Sequence, residues 1–209
     1  SRRRAAPAWP RSPACSRAAI SRRSARSGRG TAAALRRRDG LGGLGLTVAR
    51  WLVERGARHL ALVGRSGPSE SAQATIQELE QAGVQVRVLQ ADVSQKEQVA
   101  KVLAEIAQTM PPLCGVIHAA GVLDDGVLRQ QDRARFAGVM GPKVNGATAL
   151  HELTRGLPLD FFVLFSSASS LLGSPGQGNY AAANAFMDAL AHERRARGLP
   201  ALSVNWGAW

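Results

Sequence analysis

Phe161-Phe-Val-Leu-Phe-Ser-Ser-Ala-Ser-Ser-Leu-Leu-Gly-Ser-Pro-Gly-Gln-Gly-Asn-Tyr-Ala-Ala-Ala-Asn-Ala-Phe-Met-Asp188 is the stretch from which the rest of the chain can be read. Five apolar residues have the length of a strand and deliver Ser166 and Ser167 at its end. A Gly/Pro-rich loop follows, and a helix is predicted from near Tyr180, with Tyr180 and Asn184 four residues apart on one face. A parallel sheet gathers polar groups in the crevice beyond the carboxyl ends of its strands, so a hydroxyl at a strand end and a phenol one helix away can converge there. Ser166, Ser169 and Ser170 are alternates to Ser167 for the hydroxyl. A serine hydrolase is the obvious rival, but the chain has no Gly-x-Ser-x-Gly elbow.

Outward from this stretch, the 209 residues suit one α/β domain, and 45% apolar residues suffice for a sizeable core. The net charge of +12 is unevenly spread. Residues 1–39 hold 12 arginines and one acid, a net +11, whereas the remainder holds 15 basic and 14 acidic residues, a net +1. The nearly neutral remainder offers no nucleic-acid face. Two cysteines, Cys15 and Cys114, encode neither a disulfide framework nor a metal site, so a reducing, cytoplasmic setting is expected. The longest apolar runs fall far short of the ~20 residues that span a bilayer, so no membrane is expected as a partner.

The first 39 residues are Arg, Ala, Ser and Pro with almost no aliphatic periodicity, which favours disorder. A transit peptide and a nucleic-acid-binding arm both fit the charge. A tail foreign to the fold fits better. The residues before Gly40 are Ala32-Ala-Ala-Leu-Arg-Arg-Arg-Asp39, and three consecutive arginines cannot sit in the central strand of a sheet covered on both faces. The folded domain is therefore expected to begin at residue 40.

Gly40-Leu-Gly42-Gly43-Leu44-Gly45 opens a helix running to about Gly56. Such glycines let a backbone approach a pyrophosphate, and the helix N-terminus favours its charge. After the next strand, His59–Val63, Arg65 stands where an NAD enzyme carries an acid for the ribose hydroxyls, so it pairs with a 2′-phosphate or is a plain surface arginine; the first reading points to NADPH. A helix over 69–81, a strand over 84–89 and the turn Ala91-Asp-Val-Ser94 come next, with Ser94 expected to cap the helix to about Thr109 through a capping box with Glu97. The strand Leu113–Ala119 runs into Ala119, Ala120 and Gly121, and His118 within it reads as a packed core residue.

The 13-residue spacing of Ser167 and Tyr180, the run Tyr180-Ala-Ala-Ala-Asn184 and the closing Asn-Ala-Phe-Met-Asp-Ala-Leu-Ala resemble the ketoreductase domain of modular polyketide synthases, a branch of the short-chain dehydrogenase/reductase superfamily. The resemblance runs from about Gly40 to Trp209. Ordinary members carry Tyr-x-x-x-Lys; in the synthase branch the lysine lies upstream, and Lys143, 37 residues before Tyr180, matches it.

The resemblance implies a doubly wound parallel Rossmann-like α/β sheet with its first strand and C-terminal lid missing or replaced. It implies Tyr180 as general acid, Ser167 on the substrate carbonyl, Lys143 assisting the phenol and holding the nicotinamide ribose, and Asn184 supporting the lysine and a water-borne proton path. Gly40, Gly42, Gly43, Leu44, Gly45, Arg65, Asp92, Val93, Ala119, Ala120 and Gly121 would then hold NADPH, with no metal. Arg38 and Asp39 replace the Thr and first Gly of the family's glycine motif, and a carboxylate there would repel a pyrophosphate. Leu123-Asp124-Asp125 matches the B-type fingerprint, and Leu172 stands where the other type has Trp, implying a D-configured alcohol, unless the acids belong to a solvated loop. The implied function is reduction of a β-ketoacyl thioester on an acyl carrier protein, beside other synthase domains. The alternative is an inactive fragment that binds cofactor poorly for want of its first strand.

Overall fold

The computed structural model describes residues 31–35 and 43–207. Six strands make one sheet: β1 (Thr31–Leu35), β2 (His59–Gly64), β3 (Gln85–Gln90), β4 (Leu113–His118), β5 (Phe161–Ser167) and β6 (Leu202–Trp206). Their order is β3-β2-β1-β4-β5-β6 and every pairing is parallel. Parallel neighbours need crossover connections. These are α1 (Gly43–Glu54), α2 (Glu70–Gln81), α3 (Lys96–Thr109), the helical run α4 (Arg133–Met140) and α5 (Gly146–Thr154), and α7 (Gly178–Ala196), with the one-turn α6 (Ser169–Leu172) at the end of β5.

Helices cover both faces. Successive residues of β2 point to opposite layers: Leu60 and Leu62 pack with Leu46, Leu52 and Ile76 of α1 and α2, while Ala61 and Val63 pack with Val99, Ile106 and Leu150 of α3 and α5. Burial on both faces is why β2 and β4 read as continuous apolar runs. The fold class is thus the doubly wound, Rossmann-like sheet.

Its first strand is replaced rather than missing. Thr31–Leu35, assigned to the tail on composition, lies between β2 and β4, with Ala33 beside Ala61 and Val116. Arg36, Arg37 and Arg38, on which that expectation rested, lie outside the described residues. Ala32 and Ala33 are buried there, and the strand's polar start is satisfied: Thr31 Oγ1 donates to the Pro111 carbonyl at 2.7 Å and its N–H to the Pro112 carbonyl at 3.0 Å. The small side chains leave a defect, an apolar cavity of about 10 Å³ among Ala33, Val63, Val99, Val102 and Val116.

Two boundaries differ from expectation. Ser94 does not cap α3, because its N–H and hydroxyl both donate to Asp92 Oδ1, at 2.9 and 2.7 Å. The tight Asp turn takes the serine before the helix starts, and Gln95 occupies the cap position without a side-chain bond. The last long helix begins at Gly178, two residues before Tyr180. No described helix is long and apolar enough to cross a membrane.

Candidate active site

Because all six strands run the same way, the loops that follow them share one edge. Gly43 after β1, Arg65 after β2, Asp92 and Val93 after β3, Ala119, Ala120 and Gly121 after β4, and Ser167 at the end of β5 therefore stand in a row along it. The topological switch falls between β1 and β4.

On the cofactor side, a Cβ on Gly43 would meet no described residue within 4 Å, and the first turn of α1 holds no acid, so its amides could take an anion. Leu44 and Gly45 are half-buried in that turn. Gly40 and Gly42, and with them Arg38 and Asp39, lie outside the described residues. Arg65 is exposed and forms no ion pair with a described residue, while its carbonyl accepts from Gln90 Nε2 at 2.7 Å. Val93 and Ala120 are buried, and Asp92, Ala119 and Gly121 are half-buried. A glycine-floored helix start, an accessible guanidinium and a wall of small side chains could hold a nicotinamide dinucleotide. Among the described residues no cluster of His, Cys, Asp or Glu could hold a metal.

On the catalytic side, α4 passes into α5 through a π-helical turn, Gly141–Asn145, which carries Lys143. The lysine is 3% exposed. Its Nζ donates to the Phe165 carbonyl of β5 at 3.0 Å and lies 5.1 Å from the centroid of the Tyr180 ring. A Cβ on Gly121, just beyond β4, would stand 2.9 Å from the lysine Cε, so glycine there leaves the side chain its path. Tyr180 is half-buried in the first turn of α7.

Ser167 Oγ accepts two hydrogen bonds, from the Ser169 N–H at 3.2 Å and the Ser169 hydroxyl at 3.0 Å. Both lone pairs are engaged, and the O–H remains to donate. Asn184 is wholly buried. Its Nδ2 donates to the Tyr180 carbonyl at 2.8 Å, and its Oδ1 has no hydrogen-bond partner among the described residues. The carboxamide thus does not bond the lysine directly.

Ser166, an alternate for the reactive hydroxyl, donates to the Asn184 carbonyl at 3.3 Å instead. Ser170 donates to Asp188 Oδ2 at 2.6 Å, Ser203 to Oδ1 at 2.5 Å and Asn205 Nδ2 to Oδ2 at 2.9 Å. Burial alone would raise the Asp188 carboxyl, but hydrogen bonds from Ser170, Ser203, Asn205 and Ser166 outweigh it and hold the group below its ordinary value. This knot ties α6, α7 and β6 behind the strand end. The sequence reading missed it, since its members lie as far apart as Ser166 and Asn205.

The Leu123–Asp125 loop also proves to be fastened. Arg135 of α4 donates to Asp124 Oδ1 from Nε and Nη2, at 3.0 and 2.6 Å, and to the Asp125 carbonyl at 2.7 Å. The Asp124 hydrogen bond raises the guanidinium's pKa above its ordinary value. Gln177 reaches Asp125 Oδ2 at 2.9 Å, the buried Asn179 donates to the Asp124 carbonyl at 2.9 Å, and the Gly126 N–H bonds the Gly176 carbonyl at 2.8 Å. The loop is therefore docked against the segment that leads into Tyr180.

Comparison with known proteins shows the family. The model of the KR domain family matches residues 39–209. Polyketide synthase GfsE of Streptomyces halstedii is 52% identical over 165 residues, 79% of this chain and 4% of that protein. Mycoketide-CoA synthase of Mycobacterium tuberculosis is 50% identical over 172 residues, 81% of this chain and 4% of that protein. Among solved structures, an A-type ketoreductase from a modular polyketide synthase superposes with a TM-score of 0.80 at 44% identity, covering 87% of this chain and 38% of that one. A short-chain dehydrogenase from Mycobacterium avium shares the fold, with a TM-score of 0.73 at 24% identity. The chain thus spans a small part of the synthases it matches, and within them it belongs to the ketoreductase domain family of modular polyketide synthases.

Proposed function

We propose that the chain reduces a β-ketoacyl thioester, presented on an acyl carrier protein, to the β-hydroxyacyl thioester with NADPH. The observation that carries this reading is Lys143, buried with its Nζ 5.1 Å from the centroid of the Tyr180 ring and donating to the Phe165 carbonyl, two residues before Ser167. NADPH, when bound, supplies a hydride to the ketone carbon. Negative charge then grows on the carbonyl oxygen, and the protein's task is to hydrogen-bond and protonate it.

Ser167 donates its O–H to that oxygen, and Tyr180 delivers the proton. Lys143 brings positive charge to the phenol while the Phe165 carbonyl fixes its direction. The buried Asn184 Oδ1 suits a water, through which the phenol's proton is replaced from solvent. Gly43, Leu44 and Gly45 receive the pyrophosphate, Arg65 the 2′-phosphate, Asp92 and Val93 the adenine end, and Ala119, Ala120 and Gly121 the nicotinamide ribose. The docked Leu123-Asp124-Asp125 loop limits the substrate to one approach, giving the D alcohol. The remaining domains of a synthase supply the carrier-bound substrate and take the product, in the cytoplasm.

The test is NADPH oxidation with a simple β-ketothioester, followed by chiral analysis of the product. Saturable NADPH fluorescence with turnover to the D alcohol is expected. Failure to bind NADPH would favour the inactive-fragment reading.

A further inference from the structure

His118 has no part in the chemistry above, yet it is wholly buried at the end of β4 and touches the element that carries Lys143. Its Nε2 lies 3.0 Å from the Pro142 carbonyl, one residue before the lysine. A carbonyl only accepts, so Nε2 carries the hydrogen. Burial, reinforced by the Lys143 charge, lowers the pKa to about 3, which keeps the ring neutral with a bare Nδ1 that has no partner.

The helix at this point is irregular. The Gly146 N–H reaches back to the Gly141 carbonyl, five residues away, so the turn holds one residue more than an α-helical turn. In a regular helix each residue advances about 100°, and an inserted residue re-aims every side chain before it relative to those after it. Pro142 lacks an N–H and loosens the ladder here. Gly146 lets the helix close on β4: a Cβ there would stand 3.1 Å from Val93 Cγ2 and 3.2 Å from His118 Cε1.

We propose that His118 is a positioning residue for Lys143: its Nε2–H grips the Pro142 carbonyl, holds the π turn, and so keeps the ammonium between Tyr180 and the Phe165 carbonyl. The end of β4 thus acts twice, gripping the backbone with His118 and clearing the side-chain path with Gly121. The consequence for catalysis rests on the reductase reading, but the placement of the lysine does not.

The chain has three lysines, Lys96, Lys101 and Lys143, so reductive methylation of the full chain read by mass spectrometry reports on Lys143 cleanly. In the unaltered protein Lys143 resists labelling while Lys101 reacts. His118→Leu is expected to raise Lys143 labelling relative to Lys101 by about tenfold through local opening. It should also lower kcat by about 10²-fold with little change in KM, as for a group displaced by an ångström. His118→Gln places an N–H where Nε2 was, and both readouts should return to near the starting level. Leu52→Ala, in the opposite helix layer, supplies a destabilised control in which Lys143 stays masked. Should His118→Leu not fold, Gly146→Ala strains the same contact from the helix side and should unmask Lys143 likewise. Equal masking and turnover in the starting protein, His118→Leu and Gly146→Ala overturns the proposal. Unmasking in His118→Leu with no turnover in any form supports the placement of Lys143 and refutes the reductase reading instead.

Discussion

β1 and β5 are both interior strands of one parallel sheet, yet they are built from opposite materials. β5 is Phe161-Phe-Val-Leu-Phe followed by two serines whose hydroxyls are fixed by α6, α7 and β6. β1 is Thr-Ala-Ala-Ala-Leu, and a small apolar cavity lies against its Ala33. The difference teaches that a strand's place in the sheet is set by the apolar walls beside it, while its chemistry is set by what holds its carboxyl end. Alanine is enough for the first task. The second takes a network spread over four elements.

The sharpest way to break this division is at the end of β5's partner helix. Tyr180→Phe keeps the ring under the Lys143 ammonium and removes the proton donor, so turnover should fall by ~10²–10⁴ while NADPH affinity holds. Turnover like that of the unaltered protein would show that the strand end carries no chemistry.

Next in size is the core of β5. Phe162 is 1% exposed, and the Arg194 guanidinium lies 3.8 Å above its ring centroid. Arg194 is itself buried, which lowers its pKa to about 10. Phe162→Ala opens a cavity and strips the face from a buried cation, and the cost should be about 3–5 kcal/mol in denaturant unfolding. A loss under about 1 kcal/mol would mean that β5 is no better packed than β1.

A smaller and graded effect is the response to acid. His118 has its pKa lowered from 6.5 to about 3. Between those values the unfolded chain takes up a proton that the folded chain refuses, so stability is full above pH 6.5 and falls as the pH drops. One such proton changes stability by about 1.4 kcal/mol per pH unit. His151 is lowered too, first by burial and then by the Arg194 charge, and adds in the same direction. Urea titrations from pH 7 to pH 5 should show this slope, reduced in His118→Gln. A slope unchanged by that substitution would mean that His118 is not buried neutral.

The sheet and the strand ends were legible because each rests on short-range pattern, apolar runs and glycine turns, while the approach of Lys143 to Tyr180 was expected from the resemblance. What was not legible rests on contacts between distant segments. Nothing within Ala32-Ala-Ala-Leu signals a central strand, because its neighbours β2 and β4 create the slot. The Ser94 cap failed because the Asp92 carboxylate, two residues earlier, competes for the same N–H. The docking of Asp124 by Arg135 and Asn179, and the convergence of Ser170, Ser203 and Asn205 on Asp188, become visible only once loops from different crossovers lie side by side.

The smallest effect tests β1 itself. Ala33 faces the cavity, whereas Ala32 faces the layer of α1 and α2, where Leu46, Ala49 and Leu52 are already packed. Ala33→Val fills room of about one water-sized group, and the gain should be about 1 kcal/mol at most, or some 2–4 °C in Tm. Ala32→Val meets a filled layer, so it should cost a comparable amount. The pair reads register directly, because sliding the strand by one residue exchanges the two faces. If Ala32→Val stabilises and Ala33→Val does not, Thr31–Leu35 sits one residue out of the pairing with Leu60–Val63; if neither substitution moves Tm, these alanines are not the strand between β2 and β4.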